Sequence, residues 1–421
     1  MSSPIDEFPA IAKNTMLVPN PTATRTSYPG DLRDLMSVAK ARESRRWLSP
    51  WAGLSREPTP LWRLPDLAQR LGLAVVHVKD ESARSSLGSF KALGAPIALV
   101  RLIMRRAPEC RAEGVLTGRH APMLEDLVVI SATDGNHGRA LAAAAKSAGL
   151  RCVIVLHKHV SVEREAAIAA FGAEIVRVEG NYDASVDEAA RLAAVNGWQV
   201  VSDTSYEGYE EIPRDVMQGY GTIADEVIDQ TAAARSDAGP FSHVILQGGV
   251  GGMAAGIVSY LWEIYGEDRP VFIVTEPRQA DCLTQSALQG RPAKATGSVD
   301  SIMAGLACGE TSPLAWRFLE NSVDYFLTID DDDAISAMRT LAAGTDRDPP
   351  IVSGESGAAG LAALEVLCAS TDLRAQVGLD AASRVLLVNT EGATAPAVYR
   401  GLVGRDAQTV LAAQSDWVEG R

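Results

Sequence analysis

The stretch His243-Val244-Ile245-Leu246-Gln247-Gly248-Gly249-Val250-Gly251-Gly252 decides the fold. Residues 243–246 have the character of a short buried strand, and residues 253–265 follow as a regular apolar helix. Strand, glycine-rich turn and helix in direct succession are the repeating unit of a parallel α/β sheet. The glycines let successive backbone N–H groups turn inward, and the helix N-terminus adds partial positive charge, so the turn is built to cradle an anion. The same residues satisfy the dinucleotide pattern Gly249-x-Gly251-x-x-Ala254, with Glu276 ending the next strand where a ribose-binding acid would stand. On this segment alone a nicotinamide dehydrogenase and a binder of some other phosphorylated group are both open.

Working outward, the alternation continues. Downstream, strands are expected at 271–275, 325–329 and 385–388; upstream, at 75–79, 127–131, 152–156, 174–178 and 200–202. Helices of ~10–15 residues fill the gaps, which means parallel sheets covered on both faces. Two such blocks predict an α/β fold of two three-layer lobes with mostly parallel sheets and the active site in the cleft between them. The expected division is an N-terminal arm over 1–50 with a helix at 31–45, a large lobe over 51–95 and 206–421, and a small α/β lobe over 96–205. A further helix is expected at 64–71. Ser185-Val186-Asp187-Glu188 has capping-box spacing for a helix that Gly197 closes. Residues 108–125 lack a clear period and read as a surface loop without chemistry.

Composition narrows the function. The 421 residues are 47% hydrophobic with a net charge of −14, and the acids are scattered. That argues against nucleic acid and anionic membranes as partners and for a small-molecule substrate. No apolar stretch reaches the ~18 residues of a membrane span and the first ten residues lack a signal-like core, so the expected location is cytoplasmic. The five cysteines (110, 152, 282, 308, 368) have no metal-like spacing and read as reduced thiols, with a Cys282–Cys308 disulfide as the lesser alternative. No metal is expected.

Two further motifs carry chemistry. Thr133-Asp134-Gly135-Asn136-His137-Gly138 follows the strand at 127–131 and opens a helix. A loop with an amide and a carboxylate at a helix start suits a polar ring substituent or a substrate carboxylate, and it has no task in a dehydrogenase. His137 reads equally as a base or as a packing residue. Ser89-Phe90-Lys91 heads the apolar run 92–104. A lysine amine attacks an aldehyde, and burial can depress its pKa enough to leave it neutral. Seen alone, Lys91 is better explained as a solvated side chain.

In their order, Ser89-Phe90-Lys91, Gly135-Asn136-His137-Gly138 and Gly248-Gly249-Val250-Gly251-Gly252 resemble the fold-type II pyridoxal phosphate enzymes, which include threonine dehydratases, cysteine synthases and tryptophan synthase β. Among these the chain is most similar to the diaminopropionate ammonia-lyases. That likeness is carried by Val78-Lys79-Asp80-Glu81-Ser82, by Thr133 to Arg139, by Asp203-Thr204-Ser205-Tyr206-Glu207-Gly208-Tyr209 with Met217-Gln218-Gly219-Tyr220, by Ser301 to Glu310 and by Asn389-Thr390-Glu391-Gly392. It runs from about Pro58 to Gly401. Two departures stand out: Ser86-Leu87-Gly88-Ser89-Phe90-Lys91 where the family usually has Gly-Leu-Asn-Ala-Phe-Lys, and Ala393 where it usually has an acid.

The resemblance implies that Lys91 holds pyridoxal 5'-phosphate as a Schiff base and that Asn136 bonds the phenolic oxygen. The backbone of Gly248, Gly249, Val250, Gly251 and Gly252 would take the phosphate, and Thr390 would face the pyridine nitrogen. It implies an α,β-elimination of ammonia from 2,3-diaminopropionate, giving pyruvate and ammonia, in a homodimer. Lys91 would take the α-proton. Asp134 would attract the β-ammonium and serve as a second base on the opposite face, so that D- and L-substrates both react. Asp203 would pair with the same ammonium. Glu355 reads as a ring neighbour or a helix-start residue. Three alternatives remain: the dehydrogenase, a β-replacement enzyme or dehydratase acting on serine or a similar amino acid, and a catalytically silent binding relative.

Overall fold

A computed structural model describes residues 15–133, 135–231 and 239–420. Among them, apolar runs bounded by turn residues form strands β1 (Leu17–Pro19), β2 (Leu61–Arg63), β3 (Val75–Asp80), β4 (Val128–Ala132), β5 (Arg151–His157), β6 (Glu174–Val178), β7 (Gln199–Val200), β8 (His243–Gln247), β9 (Val271–Pro277), β10 (Tyr325–Ile329) and β11 (Arg384–Asn389). They form a seven-stranded sheet in the order β1-β10-β9-β8-β11-β3-β2 and a four-stranded sheet in the order β6-β5-β4-β7. Only the edge strands β1 and β2 run antiparallel; every other pairing is parallel, as the apolar runs require. The central strands are buried on both faces, with Ile245 opposite Ile273 and Leu387 opposite Val78.

The connectivity places two loops at switch points. After β8 the chain moves to β9 on one side while β11 lies on the other; after β4 it moves to β5 while β7 lies opposite. Crevices open outside the carboxyl ends of strands at such points. The helix Glu211–Thr231 packs against Gly94–Arg106 and Gly252–Tyr265 by way of small residues. A Cβ on Gly219 would fall 2.2 Å from Leu93 O, and one on Gly256 would fall 2.5 Å from Met217 O. This contact directs Tyr220 towards the lysine segment.

Four local expectations change. The helix expected at 31–45 is two, Gly30–Leu35 and Val38–Leu48, because Met36 turns extended to bury its side chain and Ser37 Oγ caps the second by accepting from Lys40 N. The helix expected to start at Ser185 starts at Tyr182, where Asn181 accepts from Ala184 N and takes the cap first; Gly197 closes it with φ +69°. Residues 108–125 contain a helical turn, Ala112–Val115, and bury Cys110, Leu116 and Leu124, apolar contacts too irregularly spaced to read as a period. Within the expected arm, Leu17–Pro19 joins the large sheet beside Tyr325–Ile329. Among the described residues no helix is long and apolar enough to cross a membrane.

Candidate active site

The glycine turn after β8 has the cradle geometry. Gly249 and Gly251 sit at φ +62° and +99°, the left-handed region where a side chain is strained, and Gly251 leads straight into the helix Gly252–Tyr265. A Cβ on Gly248 would meet Glu276 Cγ at 2.8 Å. Glu276 is therefore packed behind the turn rather than beside it. Its carboxyl is fully buried and accepts from Leu283 N at 2.9 Å, Thr284 N at 2.8 Å and Thr284 Oγ1 at 2.9 Å, capping the helix Cys282–Gln289. Burial pushes its pKa up to about 7. A carboxyl spent in this way has no lone pair facing a ribose, and the dinucleotide reading loses its acid.

Lys91 lies on the short 3₁₀ turn Phe90–Leu93, capped by Ser89, whose Oγ accepts from Lys91 N at 3.4 Å. The turn is tied to the end of β11: Phe90 N donates to Thr390 O at 3.0 Å, Ser89 pairs with Glu391, and Gly392 N donates to Gly88 O at 2.9 Å. Gly88 has φ +71°. Asn and Gly are the residues that adopt this conformation readily, so the departure at Gly88 preserves the backbone path. Lys91 Nζ donates to Asp203 Oδ2 at 2.5 Å across the cleft, and both side chains are about one-fifth exposed. Sequence reasoning expects burial to lower the lysine pKa. Burial does act that way, but the Asp203 carboxylate outweighs it and the pKa lies above the ordinary lysine value. Asp203 correspondingly lies well below the carboxylate range: burial opposes its charge, and Lys91 and His137 more than offset that.

Asn136 begins the helix Asn136–Ala148 after β4, and its Nδ2 donates to Glu391 Oε2 at 2.5 Å. Thr390 is buried at the end of β11. Lys91 thus meets Asp203 directly, while Asn136 joins the lysine segment through Glu391 and Ser89, and Thr390 through the Phe90 backbone. Cys308 links this group to the glycine turn: a Cβ on Gly249 would lie 3.7 Å from its Sγ, and burial pushes its thiol up to about 12 despite the Lys91 ammonium. Asp134 lies outside the described residues. His137 is buried; its Nε2 faces Val201 O at 3.0 Å, so that nitrogen carries the proton, and its Nδ1 lies 3.7 Å from Asp203 Oδ2. All five cysteines have free thiols, so Cys282 and Cys308 are not bridged.

Two residues of this cleft, Glu391 and Tyr220, received no task from sequence reasoning, and a third, Glu355, was left between two readings. Glu391 sits in a motif where only Thr390 received a task. Tyr220 is 1% exposed, its ring packs edge-on against Phe90 at 4.8 Å, and Lys91 Nζ lies 5.8 Å from its centroid. Its hydroxyl is buried without a hydrogen-bond partner. Glu355 is buried, and burial together with Glu391 raises its pKa. Ala393 packs against the apolar core of the large lobe. The available donors are an amine, an amide, a buried hydroxyl and a backbone anion cradle, and these fit a phosphorylated pyridine aldehyde.

A model of the family described as "Pyridoxal-phosphate dependent enzyme" matches residues 54–391. The chain is 41% identical to a diaminopropionate ammonia-lyase of Salmonella typhimurium over 364 residues, 83% of this chain and 89% of that one. Two crystal structures of the Escherichia coli diaminopropionate ammonia lyase superpose well. One, in complex with an aminoacrylate-PLP azomethine reaction intermediate, has a TM-score of 0.82 at 36% identity, covering 93% of this chain and 97% of that one. The other, in complex with D-serine, has a TM-score of 0.83 at 36% identity, covering 94% and 98%.

Proposed function

The chain belongs to the pyridoxal-phosphate-dependent enzymes, and from that premise we propose that it eliminates ammonia from 2,3-diaminopropionate to give pyruvate and ammonia. The observation that carries the choice of substrate is Asp203, an ionised acid in the cleft in contact with the cofactor lysine. A substrate with a second ammonium group has a partner there; a hydroxy amino acid does not.

Lys91 Nζ would hold the cofactor's carbonyl carbon, Asn136 Nδ2–H its phenolic oxygen, the backbone of residues 248–252 its phosphate, and the Thr390 hydroxyl its pyridine nitrogen. When bound, the ring draws electrons from the substrate α-carbon, and a hydroxyl at its nitrogen keeps that pull moderate, which suits elimination. The other tasks fall to the chain. Asp203, held ionised by Lys91 and His137, keeps the β-amine protonated as ammonium, so the breaking C–N bond delivers its electron pair to neutral ammonia. Lys91 Nζ, once it gives up its own proton, takes the α-proton. Asp134 takes that role on the opposite face for the other enantiomer. The aminoacrylate set free hydrolyses in water to pyruvate and a second ammonia. The lobes that bound the cleft are taken as 51–95 with 206–421, and 96–205. Assembly as a homodimer in the cytoplasm belongs to the same reading and is tested by sedimentation and fractionation.

The decisive experiment assays ammonia and pyruvate from D- and L-diaminopropionate and from D- and L-serine. Turnover of diaminopropionate well above serine supports the reading. Preference for serine moves the assignment to a dehydratase, and no pyruvate from any of the four leaves the silent relative. D134N should slow the D-isomer more than the L-isomer; equal losses remove the second base.

A further inference from the structure

Glu391 has no task in the reading above, yet its carboxylate is buried and bonded within the cleft. It is 6% exposed. Oε1 accepts from Ser356 N at 3.3 Å, and Oε2 accepts from Thr394 Oγ1 at 3.4 Å. Its carbonyl accepts from Gly354 N at 2.9 Å, and its backbone pairs with Ser89. All of these partners belong to the large-lobe segments. The carboxylate reaches the small lobe through Asn136, at 2.5 Å.

A carboxamide can present either its oxygen or its NH₂ group to a partner, and its two ends are nearly equal in shape. An ionised carboxylate removes that freedom. It can only accept, so it selects the NH₂ end, and a charge-assisted bond is about twice as strong as a neutral one. With one N–H spent on Glu391, the other N–H of Asn136 is left for an anionic ring oxygen. The flipped amide would set its oxygen against the carboxylate.

We propose that Glu391 is a positioning residue: it sets the orientation of the Asn136 carboxamide across the cleft, and so presents the N–H that receives the cofactor's phenolic oxygen. The inference rests on the assignment of Asn136 given above. It is tested by a double-mutant cycle on cofactor affinity, read without turnover by titrating cofactor-stripped protein with pyridoxal 5'-phosphate and following the visible absorbance. N136A and E391A should each weaken binding by about tenfold, as loss of a hydrogen bond to a charged group predicts. E391A placed in the N136A background should add nothing, since its partner is already gone. E391Q loses the charge and can turn its own NH₂ end towards Asn136, so it restores the flip and should weaken binding measurably, though by less than E391A. E391D, which keeps the charge but withdraws it, should behave as E391A and serves where E391A does not fold. Additive losses, or wild-type affinity in both E391A and E391D, overturn the role of Glu391. Wild-type affinity in N136A overturns the Asn136 assignment and this inference with it, while uptake of the cofactor by the wild-type chain stands apart from both.

Discussion

Lys79 in β3 and Lys91 on the turn Phe90–Leu93 beyond it meet opposite fates. Lys79 Nζ is fully buried and donates to Thr59 O at 2.7 Å, Glu226 Oε2 at 2.6 Å and Gln230 Oε1 at 3.0 Å. Its acids are shared: Arg84 donates to Glu81 at 2.8 Å and 2.9 Å and to Glu226 at 2.7 Å and 2.8 Å. Burial lowers the Lys79 pKa, with the acids opposing and Arg84 assisting. Lys91 has fewer partners and the higher pKa, because Asp203 serves no competing arginine. The quartet of Lys79, Glu81, Arg84 and Glu226 is closed, with its charges mutually satisfied, and it fixes the base of the segment that carries Lys91. The Lys91–Asp203 pair is open to the cleft, and a ligand can replace either side of it. Chemistry resides where the pairing is incomplete.

That contrast can be broken in four ways, of descending size. K91A should cut turnover by about 10⁴-fold or more, the scale of losing a covalent residue, with the melting midpoint almost unchanged. A large fall in melting temperature would make Lys91 structural like Lys79. D203N should lower kcat/KM by about 10²–10³-fold. It should also move the pH dependence of cofactor uptake downwards, since Asp203 is what holds the Lys91 pKa up and removing it frees the neutral amine at lower pH. An upward shift would contradict the pairing.

K79M should do the reverse of K91A. It leaves Glu81 and Glu226 sharing the single charge of Arg84, one buried negative charge uncompensated, and should cost about 3–5 kcal/mol in denaturant unfolding, while the protein that remains folded keeps its kcat. The smallest effect is acid sensitivity. Glu226 is lowered to about 2: burial opposes its charge, and Arg84 and Lys79 more than offset that. A carboxylate with a depressed folded pKa stabilises fully above its unfolded value, and that share is lost as pH falls through the folded value. Between about pH 4.5 and 2 the wild type should lose on the order of 3 kcal/mol that E226Q does not lose over the same range. Parallel pH profiles for the two proteins would remove the buried quartet from the account.

The strand–turn–helix order, the parallel sheets and the glycine turn were legible in the sequence, as were Lys91 and Asn136 as candidates. Each is written in a short window: apolar runs of strand length, left-handed glycines, an amide at a helix start. The helix break at Met36 and the cap at Asn181 were not, since a buried side chain or a competing cap overrides local spacing. Nor could any window decide which acid meets which base. Lys91 and Asp203 are 112 residues apart, and Asn136 and Glu391 are 255 apart. Glu276 looks like a ribose ligand until packing turns it inward. Local sequence determined the elements and the loops that end them, because backbone preference and periodicity act over a few residues. Only the tertiary structure decided the protonation of Lys91, the partner of Asn136 and the fate of Glu276, because charge pairing and burial depend on segments that meet only once the sheets are assembled.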